Sequence, residues 1–215
     1  MSTSNVFKLL AKPIKAALAE KGFKKPTKPQ EKAIPVILKG KNILLIAPTA
    51  SGKTEAALLP VLSIICSTPS LRDRKGVKLL YITPLRALNR DMLDRFVFWC
   101  EKAGLTVSVR HGDTDASERR KQALKPPDVL ITTPETLQAL LTGRILRNWL
   151  KEVRWVVVDE VHLINDSGRG PTLEILITLL KKILPRTQFI FLSATIKNCL
   201  LYTSPSPRDL STSRM

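Results

Sequence analysis

The sequence predicts an α/β fold, a doubly wound parallel sheet with helices on both faces, and three observations carry that prediction. Six short, β-rich apolar runs recur along the chain: "NILLIA", "KLLYIT", "TVSVRH", "DVLITT", "WVVVDE" and "FIFLSA". Amphipathic helical patterns separate them, and strands that are continuously apolar and alternate with helices indicate a parallel sheet covered on both sides. Four of the runs end in polar signatures, "APTASGKT", "TPLRAL", "DEVH" and "SAT". In such sheets ligands bind outside the carboxyl ends of the strands.

Taken in order, Phe7 to Lys21 reads as an amphipathic helix, with Val6, Leu9, Leu10, Ile14 and Leu18 at helical spacing and Gly22 as its stop. The proline-punctuated "FKKPTKPQ" is a loop, followed by a short helix from Glu31 to Leu38 that ends at Gly40. Further helices are expected over Glu55–Cys66, Leu85–Lys102, Ser117–Leu124, Glu135–Leu141 and Thr172–Leu184. No internal repeat is present.

Composition sets the class of partner. The 215 residues are 44% hydrophobic and 25% charged, which suits one globular domain with a short tail. Lysine and arginine number 35 against 18 acidic residues, a formal charge of +17 that favours polyanions, nucleic acid above all. Lysines between Lys8 and Lys41 add non-specific attraction or form a solvated helix face. The three cysteines, Cys66, Cys100 and Cys199, form no C-x-x-C pair, which argues against a disulfide framework and a zinc ribbon and for a reducing cytoplasm. Lysines interrupt the apolar N-terminal stretch, so it is no signal peptide, and no apolar run approaches the roughly 20 residues that span a bilayer. No membrane partner is expected.

The chemistry concentrates in "KNILLIAPTASGKTEAALLP". A strand, a small-residue loop and a helix start follow one another, and the loop closes on Gly52, Lys53 and Thr54. Its pattern is that of the phosphate loop G-x-x-x-x-G-K-[ST], with Ala47 in place of the first glycine. Backbone N–H groups of Ala47, Pro48, Thr49, Ala50, Ser51 and Gly52 (Pro48 excepted) and the helix N-terminus would form an anion-binding concavity. Lys53 would reach the β- and γ-phosphates of ATP, and the Thr54 hydroxyl would ligate Mg²⁺. Ala47 ends a strand, where negative φ is expected and a small side chain suffices. At Ala50 a positive φ would cost about 1–2 kcal/mol. Downstream, "WVVVDEVH" delivers Asp159, a candidate Mg²⁺ ligand, and Glu160, which would orient and deprotonate the attacking water.

In order, "GFKKPTKPQ", "APTASGKT", "TPLRAL", "HGD", "TTPETL", "DEVH" and "SAT" resemble the first RecA-like domain of superfamily 2 DExH-box helicases. Within these, "LLIAPTASGKTEAALLPVL", "YITPLRALNRDM" and "DEVHLINDSGRGPTLEILI" are most similar to the Lhr-type, large helicase-related proteins. The resemblance spans roughly residues 6–198. It implies that Phe23 packs on adenine and Gln30 hydrogen-bonds its edge, although Gln30 also suits a helix start. It implies that His162, Ser193 and Thr195 couple nucleotide state to strand movement. Thr83, Pro84, Arg86, Gly112, Asp113, Thr133 and Pro134 match the family's grip on a nucleic-acid backbone, a type of contact that positions without reading sequence. Family members often carry Ala at the position of Ala47, and more often Gly at that of Ala50.

The resemblance implies an ATP-hydrolysing domain whose parent unwinds DNA or RNA–DNA duplexes as a cytoplasmic monomer. RNA helicases of the DEAD-box or Ski-like type are the alternative within the superfamily. A nucleic-acid-binding module with a non-hydrolysing ATP switch is the alternative of another class, and Glu160 argues against it. A second RecA-like domain, absent from residues 1–198, is the expected partner and source of an arginine finger, so this chain alone is expected to hydrolyse ATP weakly. Residues 199–215 break the pattern: "CLLYTSPSPRD" resembles the translation of a transposon-end adapter, and the segment is expected to be a non-native, disordered tail.

Overall fold

The computed structural model describes residues 5–142, 149–162 and 170–194, with Arg86 described in its backbone only. Thr195 and the expected tail at 199–215 lie outside the described residues. Six strands form one sheet: β1 (Ile43–Ile46), β2 (Leu79–Ile82), β3 (Val107–Arg110), β4 (Val129–Thr132), β5 (Trp155–Val158) and β6 (Gln188–Ser193). Their order is β1-β6-β5-β2-β4-β3, and every neighbouring pair is parallel.

All six expected strands form, and β2, β4, β5 and β6 are buried along their whole length. Alternation still assigns each residue to a face. Leu79, Tyr81, Trp155 and Val157 point into one core with α1 (Lys12–Glu20), α2 (Lys28–Leu38), α3 (Lys53–Ser67) and α5 (Arg90–Lys102). Leu80, Ile82, Val156 and Val158 point into the other, covered by α7 (Pro134–Thr142) and by the helix Gly170–Ile183, here α8. Two shorter helices, α4 (Pro69–Arg72) and α6 (Ala116–Leu124), also form among the described residues. Each fully buried Leu or Ile in these layers contributes on the order of 1.5–3 kcal/mol.

Three helices differ from the sequence reading by more than two residues at a boundary. The helix expected over Phe7–Lys21 is broken into a 3₁₀ turn, Val6–Leu9, and α1. Pro13 has no N–H and its ring would clash with the carbonyl of Leu9, so the helix restarts where Pro13 falls in its first turn. Ser63 Oγ of α3 accepts the N–H of Ala11 at that break, 2.6 Å away. Likewise Leu85–Lys102 divides into a 3₁₀ turn, Leu85–Ala87, and α5, because Asn89 caps α5 by accepting the Met92 N–H at 2.8 Å. Finally, α2 begins at Lys28 rather than Glu31, with Gln30 Oε1 accepting the Thr27 N–H at 3.0 Å in a capping box.

Polar pins set the opposite, amino edge of the sheet. Gln188 accepts from Trp155 Nε1 at 2.9 Å and donates to the carbonyls of Ile37 and Lys41 at 3.1 and 2.6 Å, tying β6 and β5 to the turn that enters β1. Lys78 donates to Asp128, which also accepts the Thr106 N–H and hydroxyl at 2.7 and 2.8 Å, so the starts of β2, β3 and β4 share one carboxylate. The Lys78 side chain is only 3% exposed. Removing one partner of such a pair strands a buried charge. Asp128→Ala is therefore expected to lower unfolding free energy by about 3 kcal/mol, measured by urea denaturation, more than an exposed-pair change such as Asp73→Ala.

Candidate nucleotide and nucleic-acid site

The carboxyl edge gathers the candidate residues. The register pairs Ile46 with Ser193, Val158 with Phe191, and Ile82 with both Val158 and Thr132. The ladder continues one step into the loops: Ala47 N–H donates to Ser193 O (3.1 Å), Asp159 N–H to Ile82 O (2.8 Å) and Thr83 N–H to Thr132 O (3.0 Å). Ala47, Asp159, Thr83 and Ser193 are thus held by sheet hydrogen bonds at the mouth of the site.

Between β1 and α3 the loop Ala47–Gly52 closes over the lysine. Lys53 is 8% exposed, and its ammonium donates to the carbonyls of Ala47 and Pro48 at 2.7 and 2.8 Å. Ser51 Oγ donates to the Pro48 carbonyl at 2.6 Å, while Pro48, Thr49 and Ala50 face solvent. Ala47 keeps a negative φ as expected, and Ala50 has φ +59°, the left-handed conformation that strains a Cβ by about 1–2 kcal/mol. Gly52 (φ +83°) is required twice over, since an added Cβ would also lie 2.6 Å from Gln30 Nε2. Gln30 is fully buried and donates a long hydrogen bond, 3.4 Å, to the Gly52 carbonyl, so its helix cap and the loop touch directly. Phe23 is half-buried, edge-on to Trp99 with ring centroids 5.9 Å apart.

Across the groove stands Asp159. Its Oδ2 accepts from the Tyr81 hydroxyl at 2.6 Å and its Oδ1 from the Glu160 N–H at 2.8 Å. Burial raises the Asp159 carboxyl above its ordinary range, opposed by these two hydrogen bonds and by the nearby Lys53 charge. Glu160 sits at φ +53°, a strained backbone for a non-glycine, and its Oε2 lies 3.1 Å from His162 Nε2. His162 Nδ1 is buried with no hydrogen-bond partner among the described residues. Lys53, Thr54, Asp159 and Glu160 together offer one cation, hard oxygen donors and a second carboxylate beside His162, the set that phosphate chemistry uses.

A second group lies beside the first. Thr83, Pro84, Pro134, Glu135, Asp159 and Glu160 line one depression, which joins the expected nucleic-acid residues to the acidic pair. Thr133 Oγ1 caps the following helix through the Thr136 N–H at 3.3 Å, and Thr83 Oγ1 is buried without a partner among the described residues. Gly112 and Asp113 follow β3 at the far edge of the sheet, remote from β1, and both are exposed.

Three residues of this edge escaped the sequence reading. Tyr81 looks like an ordinary core aromatic in "KLLYIT", and only the register aims its hydroxyl at Asp159. Arg110 and Arg119 line a concavity of about 320 Å³ together with His111, Gly112 and Thr136. Arg110 Nη1 is buried with no partner among the described residues, and burial and the Arg119 charge lower its pKa. An arginine at a strand end just before "HGD" was the available signal.

Residues 27–201 match the model of the DEAD/DEAH box helicase family. The ATP-dependent helicase Lhr-Core of Sulfolobus acidocaldarius is 40% identical over 185 residues, covering 81% of this chain and 21% of that protein. The ATP-dependent DNA helicase Hel308 of Pyrococcus abyssi is 38% identical over 186 residues, 86% of this chain and 24% of that one. Among solved structures, Mycobacterium smegmatis helicase Lhr bound to ssDNA and AMP-PNP superposes with a TM-score of 0.76 at 35% identity, over 91% of this chain and 26% of its own. The chain therefore spans about a fifth to a quarter of these three relatives. A parallel sheet of RecA type, a GKT loop facing an Asp–Glu pair and a family match over most of the chain agree: this chain belongs to the DEAD/DEAH box helicase family, with Lhr-type helicases among its relatives.

Proposed function

We propose that this chain binds Mg·ATP between the phosphate loop and Asp159–Glu160, and grips a nucleic-acid backbone along the neighbouring strand ends. Its parent would be an Lhr-like helicase that unwinds DNA or RNA–DNA duplexes. The observation that carries the reading is the sheet register, which sets Ala47, at the head of the phosphate loop, and Asp159 at one edge through backbone bonds to Ser193 and Ile82, from loops about a hundred residues apart in sequence.

The residues suit the cofactor. Thr54 and Asp159 supply hard oxygen ligands, and Mg²⁺ keeps several waters and substrate oxygens of its own, so a dedicated cage is unnecessary. Among the described residues no cluster of three His, Cys, Asp or Glu competes as a metal centre. When bound, the ion supplies charge neutralisation at the phosphate oxygens. Lys53 would exchange the Ala47 and Pro48 carbonyls for phosphate oxygens, and Glu160, steadied by His162, would take the proton of the attacking water. Phe23 and Gln30 would hold adenine. Ser193, bonded to Ala47 through the backbone, would report nucleotide state, with His162 and Thr195, to the strand-gripping surface.

For the nucleic acid, Thr83, Pro84, Thr133, Pro134, Gly112 and Asp113 shape the surface and Arg86 adds charge. The Arg110–Arg119 pair brings two guanidiniums together with a buried unpartnered donor, an arrangement that a phosphate would relieve. A second RecA-like domain would complete both sites. Free thiols at Cys66 and Cys100 suit a cytoplasmic setting, and no helix among the described residues is long and apolar enough to cross a membrane. We further propose that the chain acts as a monomer and that residues 199–215 are not native.

Lys53→Ala is expected to abolish measurable Mg·ATP binding in calorimetry while leaving the melting temperature close to wild type; unchanged affinity would sink the nucleotide assignment. Arg119→Ala should weaken single-stranded polynucleotide binding evenly across sequences and reduce the slope of log K against log salt by about 1, as for one lost phosphate contact. A fluorescence-anisotropy titration at several salt concentrations reads both quantities, and an unaltered slope would remove Arg119 from the interface.

A further inference from the structure

Tyr81 is fully buried in β2, in the middle of the sheet, and its ring packs edge-to-face on Phe96 with centroids 4.7 Å apart. Phenylalanine would fill that space equally well and would bring no hydroxyl to dehydrate. The hydroxyl is matched instead by a residue of the nucleotide site, donating to Asp159 Oδ2 at 2.6 Å. Register explains how the phenol reaches it. Tyr81 pairs with Val157, and Asp159, two residues further along, projects to the same face, where α3 begins with Lys53 and Thr54.

We propose that Tyr81 is a positioning residue of the metal site, its hydroxyl fixing the Asp159 carboxylate so that its remaining lone pairs are presented to the ion in one orientation. The inference rests on the Mg·ATP reading above. With Tyr81 on Oδ2 and the Glu160 N–H on Oδ1, the Asp159 carboxylate is held at both oxygens and cannot rotate, yet each oxygen keeps a lone pair for the ion or its water shell. Mg²⁺ demands near-ideal octahedral geometry, so the orientation of its few protein ligands matters more than for a permissive ion. Partners that orient metal ligands tune affinity without touching the metal, and a strand in mid-sheet is a stiffer mount than a loop. The same strand runs on into Thr83 and Pro84, so a shift of its end under bound nucleic acid would reach Asp159 through Tyr81.

Tyr81→Phe keeps the ring and its Phe96 contact and removes only the hydroxyl. Binding of a non-hydrolysable ATP analogue is measured by calorimetry, for the 215-residue chain, across a Mg²⁺ titration and in EDTA. The expected result is a rise of about 10-fold in the Mg²⁺ concentration for half-saturation, with EDTA-phase affinity and the cooperative thermal melt preserved. An unchanged Mg²⁺ requirement overturns the proposal. Equal weakening in Mg²⁺ and in EDTA overturns it too, because that pattern marks general damage to packing. Wild-type binding that ignores Mg²⁺ would be a separate failure, visible before any substitution, and would remove the metal reading and this inference together.

Discussion

Parallel pairing is the constraint on which the rest depends. Each crossover must return the chain to the same edge, so all six strands end level, and the polar residues that follow them have nowhere to go but one shared rim. Here the ladder does more than end level. Ala47, Asp159 and Thr83 each donate one further backbone hydrogen bond to the adjacent strand, so the first residue of three functional loops is still part of the sheet. The alignment of the phosphate loop with the acidic pair is therefore set by backbone geometry before any side chain acts.

That rigidity explains how the site tolerates strain. Ala50 and Glu160, the non-glycine residues with positive φ among those described, both lie within this rim. Each costs roughly 1–3 kcal/mol and persists only where its surroundings leave no alternative. For Glu160 those surroundings are the Asp159 carboxylate on its N–H and the His162 imidazole on its side chain. For Ala50 they are the closed loop, pinned by Lys53 and Ser51 to the carbonyls of Ala47 and Pro48. On the proposed reading, both strained residues adjoin groups that would change partners when phosphates bind, so strain and exchange of hydrogen bonds would occupy the same few residues.

The strands were legible because short, β-rich apolar runs survive any choice of helix boundary. The site residues at their ends were legible for the same reason, since a strand end fixes the place of the next residue. Boundaries set by one atom were not. Pro13 and Asn89 are plain signals, but helical periodicity runs across both and hides the break. Contacts that depend on register were hidden altogether: the Tyr81 hydroxyl meets a carboxylate 78 residues away, and Lys78 meets one 50 away. Neither partner can be read from local pattern, because the pairing exists only once β2, β4 and β5 are in order.

Gln30 shows how a bland role and a specific one coincide. As the third residue of α2 it suits a capping box, and its Oε1 is used in that way on Thr27. The cap fixes the rotamer, and the fixed rotamer lays Nε2 against Gly52, where no Cβ could fit. An amide held by its own helix still has a lone pair on Oε1 and a second N–H on Nε2, and these are the atoms that an adenine edge would need. On the proposed reading the structural and recognition roles would draw on different atoms of one side chain, and because Gln30 is fully buried, a base would reach it only after the adjoining Gly52 loop moved. A change in the phosphate loop at Gly52 would be felt at Gln30 first, through the 3.4 Å contact between them.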